Sequence, residues 1–218
     1  MKNIQTAVNE IIAKDMEARL VLARGYMNMS SFAGHIKLEV EDLTKKEVSL
    51  NAVVVSLSRL RDELKREKPL LQDVVISNIT TKLPLTEIIY ENTAETIKKL
   101  ESFHQKVSLR RDDFFTATVG TAELNIVCSS IIASSVLNHF GSKLKFMTGN
   151  LAAVGISFDP KYFKVPNTLF SLISVVARAG INIAEIVSTY TELIVVVEEK
   201  DFGQTVSLFS ELHKKQNK

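Results

Sequence analysis

From Pro84 to Met147 the hydrophobic period reads strand, helix, strand, strand, helix, strand, and from Leu151 the same order begins again. In the first pass PLTEIIYE is a strand, and Asn92 or Thr93 caps a helix carrying Ala94, Ile97, Leu100 and Phe103. DFFTATV and AELNIVCS form a strand pair turning at Gly120. Ser129 or Ser130 opens a helix with Ile132, Val136, Leu137 and Phe140 that Gly141 closes, and KLKFM is the last strand. In the second pass LAAVGISFD is a strand and NTLFSLISVVARAG a helix with Leu169, Ile173, Val176 and Ala177 inward. INIAEIVST and ELIVVVEE pair, and DFGQTVSLFSELHKK is a helix opened by Asp201.

Two such passes predict an α+β protein with two ferredoxin-like βαββαβ units, antiparallel sheets and helices on one face only. The second pass lacks its last strand. DVVISNIT, residues 73–80, precedes the first unit without a slot in it and is expected to complete the second sheet by strand exchange. LIVVVEE is apolar on consecutive positions, so both faces of that strand are expected to be covered. Near Leu83 and Pro84 the run LLQDVVISNITTKLPLTEIIYE is expected to break into two strands.

Before residue 70 the period is helical. A helix ends near Gly25, Ser30 or Ser31 caps the next, and Ser49 opens SLNAVVVSLSRLRDELKRE, whose apolar stripe is Val53, Val54, Leu57, Leu60 and Leu64 and whose end Pro69 marks. The expected domains are a three-to-four-helix module over 1–69, a first βαββαβ unit over 70–149 and a second over 150–218.

SSFAGHIKLEVE followed by VSLNAVVVSLSRL resembles the outline of a helix-turn-helix, which would place Ser49, Asn51, Arg59 and Arg61 toward DNA. The cations of RLRDELKREK are partly offset by Asp62, Glu63 and Glu67, and a formal net charge of +2 does not by itself imply a polyanion partner.

VPNTLFSLISVVARAGINIAEIVSTYTELIVVVEEKDFGQTVSLFSEL resembles an ACT domain, in particular those that regulate aspartokinase. The matching positions are Val165, Pro166, Leu169, Ile173, Ala179 to Ile183, Ser188, Thr189 and Asp201. The first unit matches in element order only, with SLRRDDFF where the second has its GIN joint. The resemblance implies a regulatory module that binds an amino acid or other small effector and forms a homo-oligomer, expected to be a dimer. It places the effector against Asp159, Lys164, Val165, Pro166, Asn167, Thr168 and Leu169, with Ile181, Asn182 and Ile183 opposite. Asn167 stands where the family usually has glycine.

Among the motifs of chemistry, no HExxH, GxSxG, P-loop or GxGxxG is present, and His35, His104, His139 and His213 share no ligand spacing. A catalytic role, a metal and a cofactor are therefore not expected. Cys128, the one cysteine, lies in an apolar strand and is expected to be buried. No apolar run reaches the ~18 residues of a membrane span, and a cytoplasmic protein is expected. Two readings follow: an effector-sensing regulator whose N-terminal helices act on DNA or protein, and a subunit that docks on an amino-acid biosynthetic enzyme without touching DNA.

Overall fold

The computed structural model describes residues 2–67, 71–106, 109–110 and 112–215. The chain divides into two compact units, Met1–Leu70 and Leu71–Lys218.

The first unit is helical: α1 (Ile4–Lys14), α2 (Met16–Ala23), α3 (Met29–Thr44) and α4 (Leu50–Leu64). Each helix is opened by a short polar side chain that accepts from an amide three residues on. Asn3 accepts from Thr6, Asp15 from Ala18, Asn28 from Ser31 and Ser49 from Ala52, each cap worth about 1 kcal/mol. The cap of α3 is thus Asn28, not Ser30 or Ser31, which fall inside its first turn. Asn28 is free to serve because Gly25, at φ +75°, ends α2 and turns the chain. Val8, Ile12, Leu22, Ala33, Val40, Val53 and Leu57 meet in the core of this unit. Pro69 lies outside the described residues; α4 ends before it, at Leu64.

The second unit is built on one six-stranded antiparallel sheet in the order β2-β3-β1-β4-β6-β5. Its strands are β1 (Ile76–Glu91), β2 (Phe115–Val119), β3 (Glu123–Ser129), β4 (Phe146–Phe158), β5 (Ile183–Ser188) and β6 (Glu192–Glu198). Helices α5 (Ala94–Lys106), α6 (Ser130–Phe140), α7 (Thr168–Arg178) and α8 (Glu199–Lys215) connect them.

Two strands are much longer than the others, and they explain the repeat. The second half of β1 pairs with β3, while its first half pairs with the end of β4, Ile76 opposite Phe158 and Lys82 opposite Ala153. Residues 76–80 therefore complete the second βαββαβ sheet, and the start of β4 completes the first. The expected break at Leu83 and Pro84 is a register shift inside a continuous β1, with the Leu83–Pro84 peptide cis. KLKFM and LAAVGISFD likewise contribute to a single strand. Continuity wins because β1 and β4 pair with each other on both sides of the shift, so neither has to leave the sheet.

Two further expectations shift slightly. Ser129 makes no cap for α6; its hydroxyl accepts instead from the Phe114 amide at 2.8 Å. Helix α8 starts at Glu199, directly after β6, with Asp201 in its first turn. Thr93 does cap α5, its hydroxyl accepting from the Thr96 amide at 3.2 Å.

The four helices lie on one face. Ile88, Tyr90, Leu124, Ile126 and Cys128 pack under Phe103, Val136 and Phe140, and Val154, Ile156, Phe158, Leu193, Val195 and Val197 under Leu172, Val176 and Phe209. The other face holds a third cluster, Leu85, Val127, Leu151, Ala153 and Val196, with no helical residue in it. Curling of the sheet buries it. Asn125 of β3 donates to Glu185 of β5 at 2.6 Å although β1, β4 and β6 lie between their strands. This is why LIVVV is apolar on successive residues: Val195 and Val197 face helices, while Val196 faces the inside of the curl.

The same Asn125 amide donates to Glu87 at 2.9 Å. Burial pushes the Glu87 carboxyl above its ordinary 4.5, and the Glu185 charge adds to that, against the lowering effect of Asn125. A carboxylate raised in the folded state favours folding in its protonated form, so its ionisation costs stability as pH climbs from the ordinary value through the folded one. Glu87→Gln is accordingly expected to raise the urea midpoint at pH 8 and to have little effect near pH 4; an equal change at both values would show that the carboxyl's ionisation is not the cause.

Cys128 is fully buried, and burial pushes its thiol up to about 12. It is expected to ignore a thiol reagent such as dithionitrobenzoate in the native protein and to react once in denaturant. Rapid native labelling would contradict its place under α5 and α6.

Candidate functional site

Between β4 and α7 the chain makes a 3-10 turn, Pro160–Lys164, opened by Asp159, whose carboxylate accepts from the Lys161 amide at 2.8 Å. Pro160 at the start of the turn supplies a backbone already bent for it. Tyr162 is buried there, its hydroxyl accepting from the Val75 amide at 3.0 Å and donating to the Asp73 carbonyl at 3.2 Å. The turn is thereby pinned to the segment leading into β1.

Asn167 then adopts φ 66°, ψ 11°, the left-handed conformation, immediately before α7. Glycine takes that conformation freely, and asparagine is among the residues that tolerate it best. An asparagine at this position therefore leaves this backbone geometry accessible. The Asn167 side chain makes no capping bond to α7. The Asn167 backbone carbonyl accepts from the Ser171 amide and hydroxyl, at 2.9 and 2.7 Å.

The 3-10 turn, the start of α7 and the β5–β6 turn line an open cavity of about 400 Å³. Val165, Asn167, Thr168, Leu169 and Phe170 form one wall, and Ser188, Thr189 and Tyr190 the other. Phe158, Tyr162 and Phe163 complete the lining. The Phe163 and Tyr190 rings meet edge to face at 5.1 Å across the two walls. The Thr168 hydroxyl is turned inward, donating to the carbonyls of Tyr162 and Val165 at 3.1 and 2.9 Å.

Of the residues expected around an effector, Val165, Asn167, Thr168 and Leu169 come together here. Asp159, Lys164 and Pro166 are exposed neighbours outside the lining. Ile181, Asn182 and Ile183 do not form the opposite wall in this chain. They sit at the start of β5, Ile181 buried in the core under α7 and α8, whereas the wall is the far end of that strand. Five strand residues separate the two ends, roughly 17 Å. Ser188 and Thr189 were already among the ACT-like positions; the aromatic lining was not. Its signal is FDPKYF and STY, in which Phe163 and Tyr190 are exposed aromatics that burial does not explain.

In the helical unit Ser49, Asn51 and Arg59 share a shallow depression with Asn3, Gln5, Lys46 and Val55. Arg61 is not part of it and is engaged by Asp62 at 3.0 Å. Ser49 is occupied as the α4 cap. A third cavity, about 350 Å³, lies near Lys99, Lys143 and Lys145, but Lys99 pairs with Glu95 at 2.5 Å and Lys145 with Glu123 at 2.6 Å. Among the described residues no group of histidine, cysteine and carboxylate side chains could hold a metal, and no helix is long and apolar enough to cross a membrane.

No protein-family model and no curated protein sequence matches this chain. Solved structures do match. The aspartate kinase of Clostridium acetobutylicum aligns over 68% of this chain and 36% of its own length, with 16% identity and a TM-score of 0.54. An aspartokinase alpha and beta subunit structure aligns over 64% of this chain and 99% of its own, with 11% identity and a TM-score of 0.51. The regulatory subunit of aspartate kinase from Thermus flavus aligns over 63% of this chain and 98% of its own, with 12% identity and a TM-score of 0.50. The chain thus spans about a third of the Clostridium enzyme but nearly all of the regulatory subunit. The likeness is one of fold and covers about two thirds of this chain.

Proposed function

We propose that the protein is a non-catalytic regulatory protein whose second βαββαβ unit binds a small amino acid-like effector in the cavity at the start of α7. The observation that carries this reading is the open cleft of about 400 Å³ between Asn167–Phe170 and Ser188–Tyr190, within the usual range for a small-molecule pocket. Left uncapped by the Asn167 side chain, the first-turn amides of α7 suit an effector's carboxylate, which the helix dipole also favours. The fold supports the reading: the Clostridium enzyme is an allosteric one and the Thermus protein a regulatory subunit.

Homodimerisation through an edge of the sheet accompanies this proposal. Strands β2 and β5 are its two edges, and an unpaired edge offers amides and carbonyls to a second copy.

For the helical unit, contact with a protein partner is favoured over DNA. Among the described residues its depression brings only Lys46 and Arg59 as cations, while Leu50 and Val55 of α4 stand 42% and 48% exposed. Phosphate contacts would need more positive charge and fewer apolar atoms. Docking on an amino-acid biosynthetic enzyme is the form such a contact would take.

A thermal-shift screen of the twenty common amino acids tests the effector proposal, since a ligand specific to the native state raises the melting temperature by mass action. At least one is expected to do so, and a Leu169→Arg substitution in the lining to abolish the shift. A uniformly flat screen would overturn the proposal. Retardation of a DNA duplex at low salt, lost steeply as salt rises, would overturn the preference for a protein partner.

A further inference from the structure

The chemistry of the cavity wall says which effectors fit. This inference rests on the effector reading above and narrows it. Among the described residues, none in the lining carries a charge. Two of its hydroxyls are already committed: that of Tyr162 to Val75 and Asp73, that of Thr168 to the carbonyls of the preceding turn. The Asp159 carboxylate, the nearest candidate for an ammonium group, bonds the Lys161 amide and is not in the lining. What faces the space is mainly rings and aliphatic groups. A charged effector side chain placed there would lose its hydration and meet no opposite charge.

The mouth points the same way. Phe163 is 65% exposed and Tyr190 60% exposed, each on a different loop, and they touch edge to face. Large aromatic side chains so exposed gain by covering one another and by covering a third apolar group. We infer that the effector carries a bulky apolar side chain, with an aromatic ring the best fit, which packs against the touching Phe163 and Tyr190 rings and lies against Phe158 and Tyr162.

The chain contains no tryptophan, so the fluorescence of free L-tryptophan can serve as the probe without background from the protein. Adding protein is expected to raise its anisotropy and shift its emission to the blue. L-Phenylalanine and L-leucine should displace it; L-lysine and L-aspartate should not. Phe163→Ala and Tyr190→Ala should each weaken binding by about three- to tenfold, the value of an aromatic contact. Phe146→Ala, an exposed ring at the start of β4, should leave it unchanged. All three sites are exposed, so the variants are expected to fold. Calorimetry with the remaining amino acids separates the possible failures. Binding confined to a charged or small polar amino acid, and lost in Leu169→Arg, would overturn the apolar class and leave the cavity as the effector site. Tryptophan binding that ignores both Phe163→Ala and Tyr190→Ala would overturn the placement. Binding of no amino acid at all would overturn the effector reading itself.

Discussion

Phe103→Ala and Phe209→Ala are each expected to cost about 3–5 kcal/mol, the usual range for removing a fully buried phenylalanine, and to lower one and the same unfolding transition. The two rings are both completely buried, Phe103 in α5 of the first βαββαβ half and Phe209 in α8 of the second. Separate domains would respond separately. Here β1 and β4 each run through both halves, so melting either half strips the other of an edge partner and exposes the cluster of Leu85, Leu151 and Val196 in the curl. Hydrogen exchange followed peptide by peptide in urea gives the measurement. Peptides of β3 and β6 are expected to lose protection at the same midpoint, in the parent and in both variants; two well-separated midpoints would mean that the halves fold independently.

The second large effect concerns the strand that comes from the far end of the sequence. Gly155 of β4 sits directly opposite Thr80 of β1. A Cβ at Gly155 would lie 2.4 Å from the Thr80 hydroxyl oxygen and 3.2 Å from a Glu192 carboxylate oxygen. Gly155→Val should therefore destabilise by about 1–3 kcal/mol, as overpacking does. The penalty should shrink when Thr80→Ala is made in the same chain, because the atom in the way is then gone. A double-mutant cycle in denaturant reads this coupling directly. Strict additivity would show that Thr80 is not beside Gly155, and with it that residues 76–82 do not complete the second sheet.

Much of this arrangement is legible in the residues themselves. Strand counting alone assigns 73–80 to the second sheet, because DVVISNIT is apolar enough to need a sheet and has no place in the first. The consecutive valines of β6 announce that both of its faces are covered. What covers the second face is less readable. Curling brings Asn125 to Glu185 through contacts between strands remote in sequence, and no local period encodes such a closure. The break expected at Leu83–Pro84 has a similar origin. Proline does disturb the ladder there, but β1 stays in the sheet because its two flanks both find β4.

The candidate site divides along the same line. Val165 and Asn167 to Leu169 are readable from the ACT-like pattern, since they lead into and open a helix whatever binds beside it. The opposite wall depends on which end of β5 meets that helix. Ile181 and Ile183 stand next to α7 in sequence, yet they pack into the core under it, with Asn182 exposed between them. Ser188 to Tyr190, a strand length further on, return to the start of α7 and close the cavity. Phe158, Phe163 and Tyr190 belong to segments whose composition reveals aromatics but not their convergence.

Amide chemical-shift mapping of the isotope-labelled protein, titrated with each amino acid in turn, tests the central claim most directly. The effector is expected to move the amides of Thr168, Leu169 and Phe170 together with those of Ser188, Thr189 and Tyr190. Shifts confined to the lysine-lined cavity near Lys143 or to the α4 surface around Asn51 and Arg59, or no shift from any amino acid, would contradict it.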